Sequence, residues 1–247
     1  MSSENCVRSM MCALNPYSDV IVPNVKPVDI GKVVKVACGD VYLRAPGWAV
    51  GESLIPQSDG GHYNNGNVDS LQGQLLVASP SLVDPNFRRT VVLVTEHNDE
   101  GAAGLVLNRP SPAPVAEIVP QLEPLVDDGD QVWVGGPVQP NAVLVLGEFL
   151  DPDDAAVPLF GSLGFPSLDE PDDVAALTIR RRVFAGYAGW GAGQLEDELE
   201  RDDWIVEASQ PDDAFTEEPG QLWADVLRRK GGIYELVSRI PEDPSVN

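Results

Sequence analysis

Short apolar runs separated by glycine and proline set the rhythm of the chain from Gly73 onward. Gln74–Ala78, 91–95 and 105–107 are nearly continuous apolar runs, the pattern of strands covered on both faces. Similar runs predict strands at 132–134, 143–149, 174–179, 183–187 and Trp204–Ala208. Apolar positions at helical spacing predict helices at 115–122, 194–201 and 222–230, the last closed by Gly231-Gly232. The order is mixed and shows no regular βαβ alternation. The expected fold class is therefore α+β, with bent or coiled mixed β-sheets and flanking helices, because frequent glycine and proline prevent long flat strands.

The texture before Gly73 differs. Turn-rich pieces such as Asp59-Gly60-Gly61 and Asn64-Asn65-Gly66-Asn67 surround one short β-branched run at 33–36. We expect 1–72 to be a poorly ordered or variable leader, and 73–247 to be the folded domain. Met10 and Met11 stand close to the first residue, so an over-long start is an open alternative for part of the leader.

The 247 residues carry 39 acidic against 16 basic side chains, a formal charge of -23. The first 70 residues contribute 7 acids and 5 bases, and the rest contribute 32 and 11, so the acidity belongs to the domain. Such a surface repels nucleic acid at long range and favours neutral or cationic partners. Cys6, Cys12 and Cys38 match neither a CxxC zinc half-site nor a redox pair. Free thiols, the absence of an 18-residue apolar run and the lack of a signal core lead to an expectation of a cytoplasmic protein with no membrane partner. The acidic inserts Asp151-Pro-Asp-Asp and Asp169-Glu-Pro-Asp-Asp lack the spacing of a calcium loop and read as solvated loops, so no metal site and no cofactor are expected.

Several longer motifs occur in a fixed order. They are Gly73-Gln-Leu-Leu-Val-Ala-Ser-Pro-Ser-Leu, Asp84-Pro-Asn-Phe-Arg-Arg-Thr-Val-Val-Leu-Val and Gly101-Ala-Ala-Gly-Leu-Val-Leu-Asn-Arg-Pro. Gly135-Gly-Pro-Val, Phe184-Ala-Gly-Tyr-Ala-Gly-Trp-Gly-Ala-Gly-Gln-Leu-Glu and Leu222-Trp follow. Together they resemble the YqgE/AlgH family over most of 73–247. The resemblance implies a one-domain α+β fold of bent, branching sheets. It also implies a cytosolic protein of a bacterial family sometimes described as transcriptional regulators, and it implies no catalytic residues.

Candidate binding residues fall in three places. Asn108 and Arg109 follow the predicted strand at 105–107, so Arg109 should emerge at a strand end near the surface or a cleft. There its guanidinium could grip a carboxylate or phosphate, or else form a structural ion pair. Gly135, Gly136 and Pro137 should make a tight turn, either a ligand floor or a packing device. In the third place Gly186, Tyr187, Gly189 and Trp190 lead into the predicted helix carrying Gln194 and Glu196. A phosphate cradle is disfavoured there, because no lysine or hydroxyl follows the glycines and Glu196, Asp197 and Glu198 occupy the first turn. Tyr187 and Trp190 are expected to pack or to present an aromatic surface, with Gln194 and Glu196 as hydrogen-bonding groups.

His62 and His97 are the two histidines, and His97 is expected in a solvated hairpin turn, Glu96-His-Asn-Asp-Glu-Gly. No GxSxG elbow is present. Arg180, Arg181 and Arg182 on a strand would point to alternate faces and could not form one phosphate-binding row. The leading expectation is a non-catalytic regulatory or interaction protein with a protein partner. A small-molecule binder or enzyme using a cleft of Asn108, Arg109, Gly136, Tyr187 and Trp190 is the alternative, and a direct nucleic-acid binder is the third.

Overall fold

The computed structural model describes residues 70–168 and 171–241. Residues 1–69, with His62 and the three cysteines, lie outside the described residues, as does Asp169-Glu170 at the head of the second acidic insert. Among the described residues no helix is long and apolar enough to cross a membrane.

Among the described residues, ten strands form one curled sheet of an α+β fold: β1 (Gln74–Ala78), β2 (Val91–Asn98), β3 (Gly101–Val106), β4 (Pro110–Pro114), β5 (Gln131–Val134), β6 (Val138–Phe149), β7 (Val157–Phe160), β8 (Leu163–Phe165), β9 (Thr178–Gly191) and β10 (Trp204–Ala208). The path runs β10-β1-β2-β3-β9-β6-β8-β7, with β5 joined to β9 and β4 to β5. All pairs are antiparallel except β5 with β9.

The 14-residue β9 holds the two halves together. One edge pairs with β6 along 178–187; the other pairs with β5 at Phe184 and Ala185, then with β3 from Ala188 to Gly191. The sheet branches where β5 gives way to β3, at Gly186.

Alternation along the central strands divides the core. Leu75, Val77, Leu93 and Leu105 face one layer, which is covered by helix α5 (Pro219–Lys230) through Leu222, Trp223, Val226 and Leu227. Leu76, Ala78, Val92 and Val94 face the opposite layer with Trp190, Leu195 and Trp204, the second of these from helix α3 (Gln194–Glu200). A third cluster joins α1 (Val115–Ile118), a 3-10 turn at Pro120–Leu125 and α2 (Pro171–Leu177) to β6 and β9. Each fully buried leucine or valine here contributes roughly 1.5–3 kcal/mol of apolar transfer. Helices α4 (Pro211–Ala214) and α6 (Ile233–Val237) complete the fold, and α6 leaves Ile233 and Leu236 mostly exposed.

Three expectations are corrected. The predicted strand at 174–179 is helix α2 up to Leu177, and β9 begins at Thr178. Ala175 and Ala176 favour helix after Pro171 at the first helical position, whereas β-branched Thr178 and Ile179 suit the strand. The single helix expected over 115–122 is broken, because Pro120 has no N–H to continue α1.

His97 is the third correction. The turn is confined to Asp99 and Glu100, and the imidazole is buried. The β2–β3 register passes from Val94 opposite Gly104 to Glu96 opposite Ala103, so Thr95 is an extra residue in a β-bulge. Beyond the bulge the facing of side chains is inverted. His97 therefore joins the layer of Val92 and Val94, beneath α3, and Glu96 is turned to the other face.

Candidate functional site

Gly135, Gly136 and Gly186 form the branch point of the sheet, backbone against backbone. The Gly135 N–H donates to the Ala185 carbonyl at 2.9 Å and its own carbonyl accepts from Val106 N at 2.8 Å, so one glycine links β9 to β3. A Cβ on Gly135 would stand 2.2 Å from the Gly186 carbonyl oxygen. On Gly136, with φ +153°, it would stand 2.2 Å from the Tyr187 carbonyl carbon, and on Gly186, with φ +69°, 2.5 Å from the Gly136 oxygen. The space above these glycines holds main chain. Pro137 is exposed and turns the chain into β6, whose first residue, Val138, pairs with Tyr187. Val138 and the Tyr187 ring also close over Gly189, each 3.4 Å from the position of a Cβ there.

Tyr187 and Trp190, three residues apart on β9, send their side chains to opposite faces. Tyr187 packs half-buried against the α5 layer, and burial pushes its hydroxyl above the ordinary tyrosine value. Trp190 lies in the α3 layer, stacked on Phe87 at 6.2 Å and edge-to-face with Trp204 at 5.9 Å.

The glycine turn after Trp190 ends at Gly193, whose φ of 74° sets the start of α3. This helix is tied back to the sheet by polar groups. Gln194 Oε1 accepts from Gly191 N at 3.1 Å, and its Nε2 donates to Glu198 Oε1 at 2.9 Å. Glu198 Oε2 accepts from the indoles of both Trp190 and Trp204 at 2.8 Å. Glu196 Oε1 lies 2.8 Å from His97 Nε2. Leu71 N donates to His97 Nδ1 at 3.1 Å, so the ring proton resides on Nε2 and Glu196 accepts it.

Asn108 and Arg109 occupy a separate corner. Buried Asn108 accepts from Val91 N at 3.1 Å and donates to the Arg89 carbonyl at 2.8 Å, fixing the turn before β2, where Arg89 has φ 54°. Arg109 lies partly exposed just beyond β3. Its Nη2 donates to the Arg88 carbonyl at 2.5 Å, and its carbonyl accepts from Val134 N. The Arg89 guanidinium lies 4.4 Å from the Trp223 ring centroid and donates to the Ile240 carbonyl.

The structure thus brings Gly135, Gly136, Pro137, Gly186, Tyr187 and Gly189 together at the branch point. It joins Trp190, Gln194 and Glu196 around α3 and sets Asn108 with Arg109 at the Arg88–Arg89 turn. A cleft lined by the side chains of both Tyr187 and Trp190 is not formed, since the sheet lies between them. His97, Glu198 and Arg89 are the residues that sequence reasoning passed over. The i,i+4 spacing of Gln194 and Glu198 was readable, but the bulge that turns His97 inward has no local signature.

The three consecutive arginines of β9 do divide between faces. Arg180 pairs with Glu148 and Asp212 at 2.6 and 2.9 Å. Arg181 donates to the Leu125 carbonyl and to Thr178 Oγ1 on the other side. Arg182 donates to the carbonyls of Ala214 and Thr216 and stacks on Trp133 at 3.7 Å. Among the described residues no three His, Cys, Asp or Glu side chains gather in metal-binding geometry.

The family model described as AlgH-like matches residues 75–235. A UPF0301 protein of Streptomyces coelicolor is 43% identical over 189 residues, covering 73% of this chain and 97% of the relative. A UPF0301 protein of Mycobacterium leprae is 42% identical over 181 residues, covering 71% and 90%. Among solved structures, protein DIP2367 of Corynebacterium diphtheriae is similar with a TM-score of 0.64 at 30% identity, covering 70% of this chain and 94% of that one. The AlgH protein of Pseudomonas aeruginosa follows with a TM-score of 0.54 at 30% identity, covering 73% and 100%.

Proposed function

This chain belongs to the AlgH-like family, and on that footing we propose that it is a non-catalytic regulatory or interaction protein of the cytosol, acting through a protein partner. The observation that carries this reading is the mutual saturation of the polar groups around α3. His97 uses both ring nitrogens, on Leu71 and Glu196, and Glu198 collects the N–H groups of Trp190, Trp204 and Gln194. Side chains able to move protons or orient a substrate are here engaged in holding a helix onto a sheet. Outside these contacts the domain has a strongly acidic composition, which favours a neutral or cationic protein surface over nucleic acid.

The test is affinity capture from native lysate with the wild type and Arg109→Ala, once circular dichroism has established that the variant folds. Arg109 is partly exposed and carries the cationic side chain among the candidate residues, whereas Trp190 is too buried for an informative truncation. A protein captured by the wild type and lost from the folded variant supports the reading. Failure to capture a specific protein, together with a metabolite that raises the melting temperature of the wild type but not of Arg109→Ala, replaces it with a small-molecule site at that corner.

A further inference from the structure

We propose that His97 is a proton-operated latch that holds the Leu71 amide against the sheet in its neutral form and releases it as an imidazolium. Its side chain is 3% exposed, and both ring nitrogens are committed. Nδ1 accepts the Leu71 N–H at 3.1 Å, Nε2 donates to Glu196 at 2.8 Å, and the His97 carbonyl accepts the Ser70 hydroxyl at 3.1 Å. The Leu71 side chain packs on the α3 layer. The entry of the chain into the domain is therefore fastened twice to one residue.

Protonation changes one of these three bonds and leaves the other two in place. A proton added at Nδ1 would point at the Leu71 N–H, and two donors cannot share a hydrogen bond. Nε2–H keeps Glu196, now as a charge-assisted pair. The imidazolium thus stays clamped to α3 while the Leu71 amide loses its acceptor, and residues 70–72 keep only the Ser70 hydroxyl bond, the Leu71 carbonyl bond and the Leu71 side-chain packing. From Gln74 on, β1 is held by its own ladders to β10 and β2, so release stops short of the sheet.

Charged groups around the ring leave this logic intact. Glu196 of α3 meets the ring, whereas Glu198 of that helix is bound to the two indoles. On the histidine's own hairpin Glu96 is turned to the opposite face and accepts from Asn98, and Asp99 and Glu100 form the turn. The cross-strand neighbours on the same row, Ala102 of β3 and Trp190 of β9, carry no charge.

The full chain, labelled with 15N, tests the latch by ring-nitrogen shifts and by amide exchange at Leu71, with Leu93 and Leu105 as sheet controls. His62→Gln leaves a single imidazole to observe. At neutral pH the ring should be the Nε2–H tautomer. On acidification Leu71 protection should fall by about tenfold along the ring titration, the equivalent of one lost hydrogen bond, while Leu93 and Leu105 hold. Glu196→Gln retains an acceptor but removes the charge, so ring titration and Leu71 release should move together to lower pH. In His97→Gln, whose amide oxygen can accept from Leu71, protection should no longer depend on pH over that range. A ring that titrates without loosening Leu71, an Nδ1–H tautomer at neutral pH, or a ring that stays neutral until Leu93 also opens would each overturn the proposal. So would a Leu71 release that stays put while the Glu196→Gln ring titration moves.

Discussion

Trp190 and Trp204 donate their indole N–H groups to the same oxygen, Oε2 of Glu198, each at 2.8 Å, while their rings meet edge-to-face at 5.9 Å. Both rings are nearly fully buried, so neither N–H can turn to water if the carboxylate is lost. Glu198→Ala should therefore cost about 3–4 kcal/mol, the sum of two buried donors left unpaired and a charged acceptor removed. Glu198→Gln keeps one neutral carbonyl oxygen for the two indoles but loses the charge and the acceptor of Gln194 Nε2, and should cost roughly half as much. Urea unfolding followed by tryptophan fluorescence measures both; equal losses in the two variants would mean that the charge of the carboxylate, not the packing of the longer side chain, matters.

The branch point makes a steric prediction. At Gly136 and Gly186 an added Cβ meets main-chain atoms at 2.2 and 2.5 Å, and main chain cannot rotate aside. Gly186 adds a left-handed φ of 69°. Alanine at either position should cost about 3 kcal/mol or more, combining overpacking with backbone strain. Gly193 shares a positive φ but would meet nothing within 4 Å, so Gly193→Ala should cost only about 1–2 kcal/mol. Denaturation midpoints of the three variants, each in an otherwise unchanged chain, give the ranking.

These two sites also show what a single sequence can and cannot disclose. Strands β1 and β10 were legible to their end residues, because each is a short apolar run bounded by turn formers. The opposite facing of Tyr187 and Trp190 was implicit in their spacing. The bulge at Thr95 was not legible, since nothing in Val-Thr-Glu-His distinguishes a regular strand from one with an extra residue, yet it decides that His97 is buried. Nor could spacing reveal that Asn108 and Arg109 would serve the turn at Arg88 and Arg89. That contact spans about 20 residues and depends on how β2 and β3 pair. The family motifs brought the glycines into view, but only the two edges of β9 explain them.

Arg182 makes the case that the arginine run of β9 is internal. Burial lowers its guanidinium to about 10, and two main-chain carbonyls and the Trp133 face hold it in place. Lysine retains a charge but cannot bridge both carbonyls while stacking on the indole. Arg182→Lys should therefore lose about 2 kcal/mol of stability. Thermal unfolding is the measurement, and a neutral result would place Arg182 outside the framework that joins β9 to α4.

Glu96 carries the pH prediction, and it follows from the same bulge that buries His97. Turned to the other face, the carboxyl is half-buried; burial pushes it above the ordinary glutamate value, the Asn98 amide opposes this, and nearby Glu100 adds to it. A carboxyl raised on folding binds its proton more readily in the folded state. Its contribution is thus favourable below the unfolded value of about 4.3 and is lost as pH rises through the folded value, leaving a penalty at neutral pH. Glu96→Gln keeps an oxygen for Asn98 and cannot ionise. The variant should be more stable than the wild type at pH 7, by a modest amount because water reaches part of the group, and the gain should vanish towards pH 4. Comparing urea midpoints of the two proteins at both pH values cancels the contribution of His97, which they share. A gain that persisted unchanged at pH 4 would assign the effect to packing, and a loss at pH 7 would mean that the ionised Glu96 is stabilised by a group on that face.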